Sequence, residues 1–340
     1  MVTLKDVSRE VGVSITQVSR ALAGYPDVKE ETRQRIVEAS ERLGYRPNAL
    51  ARGLKTGRSG IVAMVVPGDW AVEESTVLLE IVTGLSTEIS GRGMRFVLHV
   101  AAPGEDVREA HDELIRGGGI DGFVVIQPAR GGALIKGLAK SGIPFVVHGN
   151  PGSGAHPHVD IDNAAVGADL LSRLLDLGHR RVLFLNGPKG ALFAEARDEG
   201  VAWALAGAGL GADTVRTEHG PMTETQGREA TRSALRRPDR PTAIMAGNVM
   251  LARGVYDAAA AMGLRIPQDL SVLAHDDGLR GYEPEGFVPV LGGTRSPLAA
   301  AWVALADALK ARIEHGEASI ENRILPHKFN AGGSTSEIQG

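Results

Sequence analysis

The chain contains no cysteine. That excludes a disulfide framework, a thiolate metal site and a cysteine nucleophile. Aromatic residues are scarce, at 4%, so the core must be built largely from aliphatic side chains. No apolar run reaches the length of a membrane span, and nothing at the N-terminus resembles a signal peptide. The chain is therefore expected to be soluble and cytoplasmic, with no membrane partner. Also missing are a P-loop, a G-x-G-x-x-G after a strand, a G-x-S-x-G elbow and an H-E-x-x-H helix. The runs Gly117-Gly118-Gly119 and Gly152-Ser153-Gly154 precede a strand or lie in a loop, which leaves no nucleotide cradle. Asp276 and Asp277 are adjacent and poorly placed to act together on one substrate atom. No catalytic residue, metal ligand or cofactor is expected, and the chain is read as not an enzyme.

What is present is 340 residues, 43% hydrophobic and 23% charged, with 44 glycines. That is enough for two or three domains with many strand-helix turns. A net charge of −4 argues against nucleic acid until its distribution is read. Residues 1–58 hold eleven Lys and Arg against seven Asp and Glu, so this segment carries +4 and the remainder −8. A basic head on an acidic body suits phosphate contact by the head alone.

The head reads as two short helices around a tight turn. Leu4, Val7 and Val11 share one helical face, and Gly12 stops the helix. Ser14 and Gln17 form a capping box for a second helix, whose buried stripe is Val18, Ala21 and Leu22. Two helices this short need a third, expected at Glu30–Leu43 with Ile36, Ala39 and Leu43 inward and Asp27 as a possible cap. Gly44 and Pro47 end it. This is a helix-turn-helix pattern. Opposite the buried stripe of the second helix lie Thr16 and Arg20, flanked by Ile15, Gln17 and Ser19. In the major groove Arg20 suits a guanine, and Ile15 or the Thr16 methyl a thymine. The segment from Pro47 to Arg58 can start a helix, with Leu50 and Leu54 on one face. So short a helix is marginal in water and is expected to fold only against a partner.

These motifs, with Leu43-Gly44-Tyr45-Arg46-Pro47-Asn48 and Ala51-Arg52-Gly53-Leu54, resemble the LacI family of bacterial transcription regulators over nearly the whole chain. The resemblance implies base reading by Ile15, Thr16 and Arg20, and a minor-groove wedge at Leu54. It gives as DNA-contact candidates Thr3, Ser14, Ile15, Thr16, Gln17, Ser19, Arg20, Asn48, Ala51 and Leu54. Lys29 departs from the serine usual at the start of the third helix.

Beyond Gly60 short apolar runs alternate with amphipathic stretches. Strands are expected at Ile61–Val66, Phe96–Val100, Phe123–Ile126 and Phe145–His148, with helices near 76–90, 105–116 and 131–141. A second series starts near Val159–Asp162. Its strands are Val182–Leu185, Thr214–Thr217, Ala243–Met245 and Ser271–Ala274, and its helices run about 163–176, 192–208, 224–236 and 249–262. This alternation predicts two doubly wound parallel sheets with a cleft at their C-terminal strand ends. The resemblance implies the periplasmic-binding-protein-like fold, with crossings between the halves near 160, 292 and 323.

The expected organisation is therefore a small all-α helix-turn-helix head (1–46), a hinge helix or linker (47–58) and an effector-binding and dimerisation domain (59–340). The last divides into an N-subdomain of about 59–160 and 293–322 and a C-subdomain of about 161–292 and 323–340. Polar residues after strands are the ligand candidates: Asp162, Asn248 and Asp276, with Arg197 near a helix start and Trp70 as an aromatic platform for a sugar face. Helix N-capping alone would explain Asp162 or Asn248. The resemblance places Asp162, Arg197, Asn248 and Asp276 at effector-pocket positions, and departs at Val249, His275 and Gly292-Gly293. It implies a homodimeric repressor, with operator DNA and a small sugar as partners; a purine or other small metabolite is the alternative effector. A solute-binding protein is the competing reading of residues 60–340, and the DNA-binding head argues against it.

Overall fold

A computed structural model describes residues 2–22, 25–45, 57–68, 75–126, 132–150, 156–316 and 322–338. The chain divides into two compact units, Met1–Gly60 and Ile61–Gly340. Most of the proposed hinge helix, with Asn48, Ala51 and Leu54, lies outside the described residues, as does Trp70.

In the first unit, α1 (Leu4–Val11), α2 (Ile15–Leu22) and α3 (Glu30–Leu43) enclose Val7, Val11, Val18, Ala21, Val28, Ile36 and Ala39. Gly12 and Gly44 end α1 and α3 in the left-handed conformation expected of them. The Gln17 amide donates to Ser14 Oγ at 3.1 Å, capping α2. Asp27 does not cap α3: Lys29 holds the cap position without a side-chain bond, and Asp27 pairs with Arg20 instead.

The second unit holds two six-stranded sheets. The first contains β1 (Ile61–Val66), β2 (Arg95–Val100), β3 (Gly122–Ile126), β4 (Phe145–His148), β5 (His158–Ile161) and β11 (Arg323–Leu325), all parallel, in the order β11-β5-β4-β3-β1-β2. Around it lie α4 (Ser75–Gly91), α5 (Val107–Gly117), α6 (Ala133–Ser141) and α11 (Leu298–His315). The second contains β6 (Val182–Asn186), β7 (Val215–His219), β8 (Ala243–Ala246), β9 (Ser271–Asp276), β10 (Gly292–Arg295) and β12 (Lys328–Asn330), in the order β12-β10-β9-β8-β6-β7, with β12 antiparallel. Its helices are α7 (Asn163–Asp176), α8 (Leu192–Gly207), α9 (Glu224–Leu235) and α10 (Val249–Ala261). Alternate strand residues feed cores on opposite faces: Val62, Met64 and Val66 one side of the first sheet, Ala63 and Val65 the other.

Three details differ from the sequence reading. Gly292-Gly293 is part of a strand of the second sheet, so that crossing falls at 296–297. A Cβ on Gly293 would overlap the Ala274 carbonyl oxygen, so the glycine is what lets β10 lie against β9. Residues 323–325 pair with β5, which moves the last crossing to 326–327. Ala212–Thr214 is a 3₁₀ turn, and the strand that follows is Val215–His219. No described helix is long and apolar enough to cross a membrane.

Two helix pairs meet backbone to backbone. A Cβ on Gly200 of α8 would overlap the Ala164 carbonyl, and one on Gly167 of α7 the Arg197 carbonyl. Gly227 and Gly254 do the same for α9 and α10. Gly200→Ala is expected to cost at least about 2 kcal/mol of unfolding free energy, because backbone must move. Gly207→Ala, an exposed position where a Cβ meets nothing within 4 Å, should instead gain up to about 1 kcal/mol. Urea denaturation checks both, and equal effects would dismiss the close-approach explanation.

Candidate DNA-reading and ligand-binding sites

The N-terminal end of α2 presents Ser14, Ile15, Thr16 and Gln17 as exposed residues, with Ser19 and Arg20 half-buried. Ile15 is 46% exposed and takes no part in the helical core. A methyl-bearing, hydroxyl-bearing and amide-bearing edge therefore faces outward from one helix end. The Arg20 guanidinium lies 2.7 Å from Asp27 and over the Tyr25 ring, 4.9 Å from its centroid. Thr3 holds α1: its N–H and hydroxyl both donate to Asp6, at 2.8 and 2.7 Å. Those bonds hold the Asp6 carboxyl below its usual range.

Other arginines of the head build it. Arg33 donates to the Ala21 and Tyr25 carbonyls at 3.1 and 2.7 Å, the first an acceptor that the end of α2 leaves open. Arg35 does the same for Val11, and Arg42 pairs with Glu10. The basic count of the segment thus overstates the charge available to a polyanion.

In the second unit a cavity of about 400 Å³ lies at the C-terminal strand ends, between the two sheets. The volume is that of a site for a small organic ligand. One wall comes from Val77, Ile81, Ile126, His148 and Asp160 of the first lobe. The other comes from Asn163, Phe193, Arg197, His219, Met222, Asn248 and Asp277 of the second.

Arg197 is 4% exposed. Its Nε donates to Asn163 Oδ1 at 2.9 Å and its Nη1 to the Gly247 carbonyl at 2.7 Å. Asn163 in turn donates to Asp160 at 3.0 Å. Burial pushes the Arg197 pKa down while Asp277 and Asp160 oppose it, and an arginine so placed stays cationic. Nη2 makes no hydrogen bond among the described residues. Phe193 packs beneath the guanidinium, 5.2 Å from ring centroid to Cζ. Gly187 is needed there, since a Cβ would overlap that ring. Burial also keeps His148 and His275 neutral by lowering their pKa values.

Of the residues singled out in the sequence, Arg197 and Asn248 line the cavity. Asn248 also caps α10, its Oδ1 accepting from Leu251 N at 2.9 Å and its Nδ2 donating to the Met222 carbonyl. Asp162 and Asp276 do not line it. Asp162 is exposed and caps α7 through Ala165 N at 2.9 Å. Asp276 is the last residue of β9, shares its face with Val272 and Ala274, and is bound by Gly278 N–H and Arg295. The neighbouring Asp277, Asp160, Asn163 and Phe193 take the cavity positions; strand parity along β9 was the available signal for Asp277. His179 is structural, its Nδ1 lying 2.9 Å from Thr242 Oγ1. Among the described residues no group of three or more His, Asp and Glu could hold a metal.

Residues 3–48 match the family described as bacterial regulatory proteins, lacI family, and residues 171–335 a periplasmic binding protein-like domain. The HTH-type transcriptional regulator AglR of Rhizobium meliloti (strain 1021) is 37% identical over 310 residues, 91% of this chain and 87% of that protein. CelR of Thermobifida fusca, another HTH-type transcriptional regulator, is 31% identical over 81% of this chain and 82% of its own. The structure of a transcriptional regulator CelR–cellobiose complex superposes with a TM-score of 0.70 at 28% identity, over 98% of this chain and 100% of that one. These relatives are transcription regulators and not enzymes. With a relative 37% identical over 91% of this chain and a matched DNA-binding head, the chain belongs to the LacI family of bacterial transcription regulators.

Proposed function

We propose that the chain is a homodimeric repressor that leaves a palindromic operator when a neutral sugar fills the cavity. The observation that carries this is Arg197, a buried cation with one nitrogen uncommitted at a cavity built from both lobes. A guanidinium donor, carboxylate acceptors at Asp277 and Asp160, and the Phe193 ring match the hydroxyls and apolar face of a sugar. Among the described residues the charged lining, Asp160 and Asp277 against Arg197 and Lys189, carries no net charge, which suits a neutral effector. The cellobiose complex of CelR and the relatives named for ribose support a sugar. A palindrome follows from two identical heads related by a two-fold axis. The domain boundaries proposed are 1–46 for the head, 47–58 for the hinge and 59–340 for the body.

The experiment is selection of DNA with purified protein, then titration of the recovered site with ribose, sucrose, maltose, trehalose, cellobiose, melibiose and raffinose. Release by one of these, from a palindrome, is the expected result. Enrichment of no sequence, or release by none of the sugars, overturns the corresponding half. Arg20→Ala should weaken specific binding about tenfold or more, the worth of a bidentate guanine contact, with sugar affinity intact. Loss of both would give Arg20 a folding role. Arg197→Ala should keep operator binding but lose release and at least about tenfold in sugar affinity, read by calorimetry. Unchanged release would remove Arg197 from the ligand.

A further inference from the structure

Behind Asp277 lies a chain of buried polar groups that the proposed binding reaction does not use. Thr294 of β10 sits beside His275 of β9 in the sheet register, and both side chains are fully buried. His275 Nδ1 is 2.9 Å from Thr294 Oγ1, and His275 Nε2 is 3.2 Å from Asp277 Oδ1. Asp277 lines the cavity; its Oδ1 is within reach of Nε2 but poorly aligned for a hydrogen bond, and the carboxylate makes no hydrogen bond with any other group among the described residues.

Donor and acceptor accounting fixes the protons. Two carboxylates, Asp276 and Asp277, and one guanidinium, Arg197, act on the imidazole, and its burial outweighs them, so the ring carries a single proton. An ionised carboxylate only accepts, so that proton sits on Nε2. Nδ1 is then the acceptor, and the Thr294 hydroxyl must donate to it. The opposite tautomer would set the buried Nε2 lone pair against a carboxylate, an arrangement that costs both groups a partner. The carboxylate thereby sets the tautomer, Thr294 holds the ring through Nδ1, the imidazole faces Oδ1 at 3.2 Å, and Oδ2 is left as an acceptor for a bound molecule.

We propose that His275 is a positioning residue: held by Thr294, it locks the Asp277 carboxylate as the fixed hydroxyl acceptor of the effector cavity. This rests on the reading of the cavity as a sugar site. It makes Asp277, and not Asp276, the carboxylate that selects effectors by hydroxyl geometry.

The test uses the full-length protein. Nitrogen-15 histidine spectra, with His275 assigned from the signal lost in His275→Gln, should show a neutral Nε2–H ring that does not titrate across neutral pH. An Nδ1–H ring or an imidazolium overturns the proposal without any sugar present. Calorimetry with the seven sugars above then compares variants. His275→Phe, which keeps a planar ring and removes the donor, should lose about tenfold in affinity. His275→Gln, which restores a donor near Nε2, should stay within about threefold of the parent. Asp277→Asn combined with His275→Phe should lose no more than Asp277→Asn alone, the signature of one shared unit. Equal losses for Phe and Gln would make the ring mere packing and overturn the role, and so would an unaffected His275→Phe. Should His275→Phe fail to fold, Thr294→Val, which removes the hydrogen bond at Nδ1, carries the comparison: a reduced sugar affinity is expected, and the parent's affinity overturns the role. Parent protein that binds none of the sugars defeats the effector reading, and the positioning role falls with it, whereas binding that ignores His275 defeats the role alone.

Discussion

Backbone contact between α7 and α8 is the constraint on which the cavity's chemistry depends. A buried guanidinium is tolerable only where its partners are already in place, because the desolvation of the charge is large and a missing partner leaves it uncompensated. For Arg197 those partners are Asn163 at the start of α7 and the Gly247 carbonyl at the end of β8. Gly167 and Gly200 let the two helix backbones touch, and that distance sets the 2.9 Å bond between Arg197 and Asn163. A side chain at either glycine would push α8 outward and break the bond before any cavity residue had changed. Fold and site are thus specified together, by residues that carry no functional group.

The same fact explains what could be read from the sequence. A period of 3.6 residues marked every described helix of the head, and short apolar runs marked nine of the twelve described strands of the body to within a residue or two, since both patterns are consequences of burial. Glycine carries no such signal. Gly292-Gly293 looked like a connection, although it is a strand precisely where only glycine fits against Ala274. Polar residues at strand ends suffer a related ambiguity, because one step along the chain turns a side chain from one face to the other. Asp276 and Asp277 differ by one such step: the first faces Arg295 and the second the cavity. Arg197 was legible chiefly through the resemblance, which places it at an effector-pocket position. Asn163 and Phe193 were not, since an amide after a cap and a phenylalanine in an apolar helix read equally well as structure.

Charge in the head needs the same care. Arg33, Arg35 and Arg42 serve carbonyls or Glu10, so the segment's positive count does not translate into phosphate contacts. Arg20 is different, because its partner Asp27 is itself exposed and the pair is worth about 0–1 kcal/mol. A bidentate guanine edge, at about 1–3 kcal/mol, outcompetes such a carboxylate. A single salt-screened phosphate does so far less readily. Pairing with Asp27 therefore biases Arg20 toward sequence and away from indiscriminate backbone attraction.

Response to a ligand is a separate property from affinity for it. A ligand shifts an equilibrium only by its differential affinity for the two states. The strongest polar groups, Arg197, Asn163 and Asp277, all belong to the second lobe and move with it, so contact with them alone changes nothing between the lobes. Differential affinity has to come from the wall supplied by the first lobe, from Val77, Ile81, Ile126, His148 and Asp160. The lobes already touch beside that wall: Val77 packs against the core of the second, and Glu80 lies 3.6 Å from Arg280. Their connections are tied as well, Ser296 Oγ donating to the Pro326 carbonyl and His327 Nε2 lying 2.7 Å from Asp169. Substitutions on the first-lobe wall should therefore uncouple response from binding, while those in the second-lobe polar cluster remove binding and response together.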